Sequence, residues 1–125
     1  MMSDLARLSF ETAKDVELAR VAGEVDASNV EDLSARLLEA VPNDARALVL
    51  DLSETTYIDS SGVGLIFDAA ARLRNRRQEL RLVVRPRSFV SEVLGAVSID
   101  QSVPIDDVLS DALRAVGVTG DGLVP

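Results

Sequence analysis

Apolar positions along the chain switch between short runs with a period of two and longer stripes at helical spacing, the alternation expected of an α/β domain. In residues 5–12 and 16–22, Leu8/Phe10 and Val16/Leu18 are spaced by two, and Ala13-Lys14-Asp15 joins the runs. They are expected to form a β-hairpin. Ser28-Asn29-Val30-Glu31 has the form of a capping box, which predicts a helix start. Val30, Leu33, Leu37, Leu38 and Val41 then share one face until Pro42-Asn43-Asp44 ends the pattern. Ala47-Leu48-Val49-Leu50 is continuously apolar, so it reads as a central strand buried on both faces.

After Ile58, Asp59-Ser60-Ser61-Gly62 leads into Val63, Leu65, Ile66, Phe67, Ala69, Ala70 and Leu73, a helix apolar around most of its circumference. Residues 80–84 predict the next strand. Residues 88–94 predict a short helix that turns Phe89, Val90, Val93 and Leu94 inward and stops at Gly95. A strand over residues 102–105 contains Pro104, which lacks a ladder donor and therefore belongs at a sheet edge. Residues 106–116 predict a last helix, with acids in its first turns and Arg114 near its end. The expected fold is α/β: a small mixed sheet, its first strand antiparallel, covered by amphipathic helices. Residues 1–117 are expected to form the domain and residues 118–125 a flexible tail.

Composition narrows the chemistry. At 125 residues, 47% of them hydrophobic, the chain suits one packed domain. It has no cysteine and no histidine, which removes disulfides, thiol catalysis, Cys/His zinc sites and a Ser-His-Asp triad together. A net charge of −8 opposes phosphate backbones and anionic lipid heads. The longest uncharged stretch, residues 60–67, is far short of the ~20 residues a spanning helix needs. The N-terminal residues lack the pattern of a secretory signal, and the expected location is the cytoplasm.

The informative candidate is Asp59-Ser60-Ser61-Gly62 at a helix N-terminus, where unpaired amides and the macrodipole favour a phosphate, free or covalent. Serine and aspartate are also ordinary N-caps, so the tetrapeptide alone admits a purely structural role. Catalysis by either serine would need a base, and the sole lysine, Lys14, falls in the predicted hairpin turn. Gly23-Glu24-Val25-Asp26 precedes the first helix, where Asp26 can bond nearby amides in a turn. Glu24, Asp26 and Asp59 could suggest magnesium, but an all-protein cage for that ion is unusual, and no metal or cofactor is expected.

The order of strands and helices, with Gly23-Glu24-Val25-Asp26, Leu48-Val49-Leu50-Asp51-Leu52 and Asp59-Ser60-Ser61-Gly62-Val63-Gly64, resembles the STAS domain, specifically the bacterial anti-sigma factor antagonists. The resemblance covers roughly residues 5–117. It implies a protein without catalysis of its own that binds an anti-sigma factor that is also a serine kinase, thereby freeing a sigma factor. The kinase would phosphorylate Ser60, releasing the antagonist until a phosphoserine phosphatase restores it. By the same resemblance Asp26, Asp59, Ser61 and Gly62 belong to the partner-binding loop around Ser60. Val63 in place of a common leucine, Pro104 and the tail depart from the family pattern. A second implication is a STAS subunit that is never phosphorylated, serving a stress-signalling or lipid-transport complex.

One charge feature lies outside this resemblance. Arg72, Arg74, Arg76, Arg77, Arg81, Arg85 and Arg87 surround a single acid, Glu79, so the segment carries +6 and the remainder −14. No aromatic residue interleaves for base stacking, and the expected role is a solvated helix end or a protein contact, with no nucleic acid.

Overall fold

The computed structural model describes residues 6–118. Strands β1 (Ala6–Ala13), β2 (Val16–Val25), β3 (Ala47–Asp51), β4 (Thr55–Ile58), β5 (Glu79–Val83) and β6 (Ile105–Asp106) form one mixed sheet. Its order is β1-β2-β3-β5-β6, with β4 also paired to β2. Only the β1/β2 pair is antiparallel. The hairpin turn is tighter than expected, just Lys14 and Asp15, with Lys14 at φ 57.

The helices are α1 (Val30–Ala40), α2 (Ser60–Asn75), α3 (Phe89–Ala96) and α4 (Leu109–Ala115). Leu48 and Leu50 of β3 join the core that also contains Leu33 and Leu37 of α1, Ile66 and Leu73 of α2, and Val90 and Leu94 of α3. Ala47 and Val49, alternate positions of the same strand, join a second core with Val16, Leu18, Val83, Ala112 and Val116. Period two thus sends neighbouring residues to opposite faces, and α4 covers the second face. That explains why β3 shows no polar alternation.

Several local expectations shift. The capping box at Ser28 does not form: Asn29 is the N-cap of α1, and the Ser28 hydroxyl donates to Asp26 instead. Of the strand expected over residues 102–105 only Ile105 is in a strand, the two-residue edge strand β6, with a 3₁₀ turn at Ile99–Gln101 ahead of it. Pro104 lies just before that strand, where its carbonyl accepts from the Leu82 amide. The last helix begins only at Leu109, and Val118, placed in the expected tail, is buried in the second core. Residues 119–125 lie outside the described residues. Helix α3 continues through Gly95 to Ala96, and Phe89, expected to turn inward, is 50% exposed, its ring stacked on that of Tyr57.

Strand β2 holds three partners. It pairs with β3 from Val16 to Arg20 and with β4 from Gly23 to Val25, with a register irregularity at Gly23/Glu24. Gly23 adopts φ 105, a conformation that favours glycine, so the bend between the two ladders falls on the residue able to make it. At the handover the buried Thr55 hydroxyl donates to the Val21 carbonyl (2.7 Å) and the Gly23 amide to the Glu54 carbonyl (3.0 Å). Side chain and turn thus supply bonds where β2 changes partner, limiting the cost of buried backbone groups.

Buried Gln78, just before β5, donates to the carbonyls of Pro42 (2.8 Å) and Ala45 (2.9 Å), fastening the α1–β3 connection to the start of β5. Arg46 bonds Asp15 (2.6 Å) and the Val116 carbonyl (2.6 Å), tying the hairpin turn to the end of α4. The Arg46 guanidinium holds the Asp15 carboxyl below its ordinary value. A lowered acid pKa contributes stability present above the unfolded value and lost as pH falls through the folded one. The denaturation midpoint of the unaltered protein should therefore fall more steeply with acidification below about pH 4 than that of Asp15→Asn. Urea titrations at a series of pH values check this; parallel profiles would refute it.

The first turn of α2 approaches the sheet so closely that a Cβ on Gly62 would lie 2.4 Å from Ile58 Cγ1 and 3.1 Å from Val25 Cγ1. Gly62→Ala should therefore destabilise the fold by about 1–3 kcal/mol through overpacking, even though alanine favours helices intrinsically. Chemical denaturation measures the loss, and an unchanged or raised stability would show that α2 moves aside freely.

Candidate functional site

The β2/β4 ladder aligns Val25 with Ile58, so Asp26 and Asp59 each follow one member of a matched pair at the same end of adjacent parallel strands. Such strands run ~4.8 Å apart, which brings the two sequence-predicted loops side by side. Each aspartate is half-buried and organises its own loop. Asp26 Oδ1 accepts from the Ser28 amide (2.9 Å) and hydroxyl (2.6 Å). Its carbonyl accepts from the amides of Asn29 and Val30, and its amide donates to Asn29 Oδ1 (3.1 Å). Asn29 in turn donates to the Glu24 carbonyl (2.8 Å), closing a compact polar turn ahead of α1. Asn29 was not singled out in the sequence; Asn in a turn before a helix was the available signal.

Asp59 is the N-cap of α2: its Oδ1 accepts from the amides of Ser61 (2.9 Å) and Gly62 (3.3 Å). These are the donors that a free phosphate would want, so the helix end presents them to its own carboxylate instead. Ser60, the first residue of α2, is exposed; Ser61 is half-buried and Gly62 buried. Of the two serines, Ser60 is the more exposed.

On the solvent side of α2, Ser60 is followed at positions i+4 and i+7 by exposed Gly64 and Phe67. A Cβ on Gly64 would meet nothing within 4 Å, so internal packing does not require glycine there. Nearby, Tyr57 of β4 and Phe89 of α3 stack with centroids 5.5 Å apart and ring planes 10° apart. Both rings are substantially exposed, at 38% and 50%. A contact between residues 32 positions apart has no local periodicity to announce it. Scarcity was a usable signal: the chain has only one tyrosine and three phenylalanines.

Lys14 lies in the turn before β2, whereas Asp26 follows its far end, about 30 Å away along a ten-residue strand. That separation leaves Lys14 unable to serve as a base for Ser60. Among the described residues, no group of three or more acidic side chains is arranged to hold a metal ion, so Glu24, Asp26 and Asp59 do not form one. No helix among them is long and apolar enough to cross a membrane.

The arginine segment divides in space. Arg74, Arg76 and Arg77 precede β5 and Arg85 and Arg87 follow it, so the strand separates the two groups. Several are also engaged: Arg72 pairs with Asp68 (3.0 Å), and Arg81 pairs with Asp106 (2.6 Å). Arg76 donates to the Val41 carbonyl (2.9 Å) and to Asn43 (3.0 Å). A run continuous in sequence becomes dispersed helix-end and sheet contacts.

Comparison with known proteins agrees with this geometry. A family model described as "Mlab, STAS domain" matches residues 9–120. BtrV of Bordetella bronchiseptica, which carries the name anti-sigma factor antagonist, is 33% identical over 95 residues, covering 74% of this chain and 82% of BtrV. The crystal structure of an anti-sigma factor antagonist from Mycobacterium paratuberculosis superposes with a TM-score of 0.81 at 25% identity, covering 90% of this chain and 95% of that one. The phosphorylated form of the Bacillus cell fate determinant SpoIIAA shares the fold with a TM-score of 0.67 at 20% identity, covering 88% of this chain and 99% of that one. A mixed sheet with this strand order, the paired Asp26 and Asp59 loops and the matched family model together identify the chain as a STAS domain belonging to the anti-sigma factor antagonist family.

Proposed function

We propose that the protein binds an anti-sigma factor that is also a serine kinase, releases a sigma factor by doing so, and is switched off by phosphorylation of Ser60. The observation that carries this reading is the exposed Ser60 hydroxyl at the start of α2, beside an aspartate that already caps the helix. Its surroundings support an interaction surface. Gly64 and Phe67 extend an uncharged face along α2, and Gly64 lets a partner approach the helix backbone closely.

Phosphorylation adds about −1.5 to −2 charges. With the amides of Ser61 and Gly62 already bonded to Asp59, the phosphate gains little internal compensation and adds to the charge of Asp59 and Asp26. A surface that accepts a hydroxyl then becomes strongly anionic, and a partner fitted to the neutral form is repelled. Asp26 supports recognition from the adjacent loop, while Ser61 and Gly62 set the backbone on which Ser60 is presented. The protein itself supplies no catalysis in this scheme: the kinase transfers the phosphoryl group and a phosphoserine phosphatase removes it, in the cytoplasm.

Incubation with cognate anti-sigma kinases and ATP, followed by phosphosite mapping, should place the modification on Ser60. Ser60→Ala should retain partner binding and lose sensitivity to ATP. Ser60→Asp should weaken binding on the order of tenfold, short of the full effect because one carboxylate carries less charge than a phosphate. Ser61→Ala should remain a substrate. Asp26→Asn keeps the side-chain shape, so reduced docking or modification there would report charge. Phosphate confined to Ser61, or no modification by any such kinase, would leave Ser60 a structural residue and point to an unphosphorylated interaction subunit.

A further inference from the structure

Strand β1 lies at one end of the sheet, and among the described residues it pairs with β2 alone. Its eight residues run in unbroken register against β2, with no bulge and no proline, and its remaining edge is of the kind that recruits another strand. Proteins usually blunt such an edge with charges on both faces or a kink. Here the charges form a pattern of a different kind.

Arg7, Ser9 and Glu11 point to one face of the sheet and Leu8 and Phe10 to the other, where both are half-buried against the main core. We propose that β1 joins the β1 of a second copy of this chain, antiparallel, making one continuous sheet across a two-fold axis at Ser9. A two-fold axis perpendicular to the sheet keeps each face on its own side, so odd-numbered residues must meet odd and even must meet even. Centring the pair on Ser9 places Arg7 opposite Glu11 of the other copy, twice, and Leu8 opposite Phe10, twice. Sliding one chain by four residues in either direction centres the pair on Arg7 or on Glu11, bringing like charges face to face. Sliding it by two centres the pair on Leu8 or Phe10 and matches no opposite charges. Face parity and charge therefore select one register.

The existing contacts leave room for it. Glu11 receives Arg20 of its own chain through Oε1 (2.7 Å) and is still 42% exposed, so its carboxylate can also meet an arginine from outside. Strand β4, which leads to Ser60, pairs on the other side of β2, so the association does not consume the proposed phosphorylation site.

The chain should show a concentration-dependent monomer–dimer equilibrium by sedimentation. Arg7→Glu and Glu11→Arg should each weaken the dimer by on the order of tenfold or more, since each converts both opposite-charge pairs into like-charge pairs. An equimolar mixture of the Arg7→Glu and Glu11→Arg chains should form a heterodimer, because the mixed pairs are again opposite in sign. That rescue separates the interface from simple misfolding, which mixing would not repair. The natural chain contains no cysteine, so Ser9→Cys introduces a single thiol at the axis and should form a disulfide dimer under mild oxidation. Thr12→Cys, whose counterpart would lie about 20 Å away along the strands, should not. A chain monomeric up to about 1 mM, ample for a weak contact, would overturn the proposal. So would a dimer indifferent to both reversals, or linkage through Thr12→Cys but not Ser9→Cys.

Discussion

The parallel ladder between β2 and β4 is the contact on which the arrangement around Ser60 depends. Strand β2 first accompanies β3, bends at Gly23 and then takes β4 as its partner on the same side. Aligning Val25 with Ile58 sets Asp26 beside Asp59, and it also sets the floor on which the first turn of α2 rests. Glycine at position 62 lets the helix come down on that floor, where a Cβ would lie only 2.4 Å from Ile58 Cγ1. Both glycines thus act through geometry: one turns the strand, the other admits the helix.

Electrostatics at the two loops follows from hydrogen bonds already made. Each aspartate bonds amides of the chain just ahead of it, so neither is a free carboxylate waiting for a ligand. This arrangement disfavours a free anion at the helix end, beside which Ser60 is exposed. In the proposed switch the carboxylates are background charge against which an added phosphate acts; they need not touch it.

The sheet has two unequal covers. Helices α1, α2 and α3 bury one face, while the short α4 and Val118 bury part of the other. The toward-β1 part of that second face carries Arg20, whose partners are Glu11 at 2.7 Å and the buried carboxylate of Asp51 at 3.8 Å. Polar residues there require no helix above them. The β1 edge and the β4 loop lie on opposite sides of β2.

Sequence alone determined the features that repeat locally. The continuous apolar run of β3 announced a strand buried on both faces, the stripe from Val63 to Leu73 announced a buried helix, and Asp59-Ser60-Ser61-Gly62 marked that helix's start. Family resemblance then supplied the candidate roles of Ser60 and Asp26, which spacing does not encode. Only tertiary structure decided which donors each cap uses, because Ser28 could serve Asn29's helix or Asp26's turn and the choice turns on the position of β2's end. The four-residue strand β4 is too short for its own pattern and exists because β2 offers it a ladder. Phe89 was legible as an apolar helical residue, but its outward position depends on Tyr57, a ring delivered by a different strand. The arginine run shows the same limit: adjacency along the chain concentrates charge on paper, whereas β5 and the individual ion pairs distribute it in space. Local steric preference and hydrophobic period act over a few residues; strand register and cross-chain contacts act between segments that only the fold brings together.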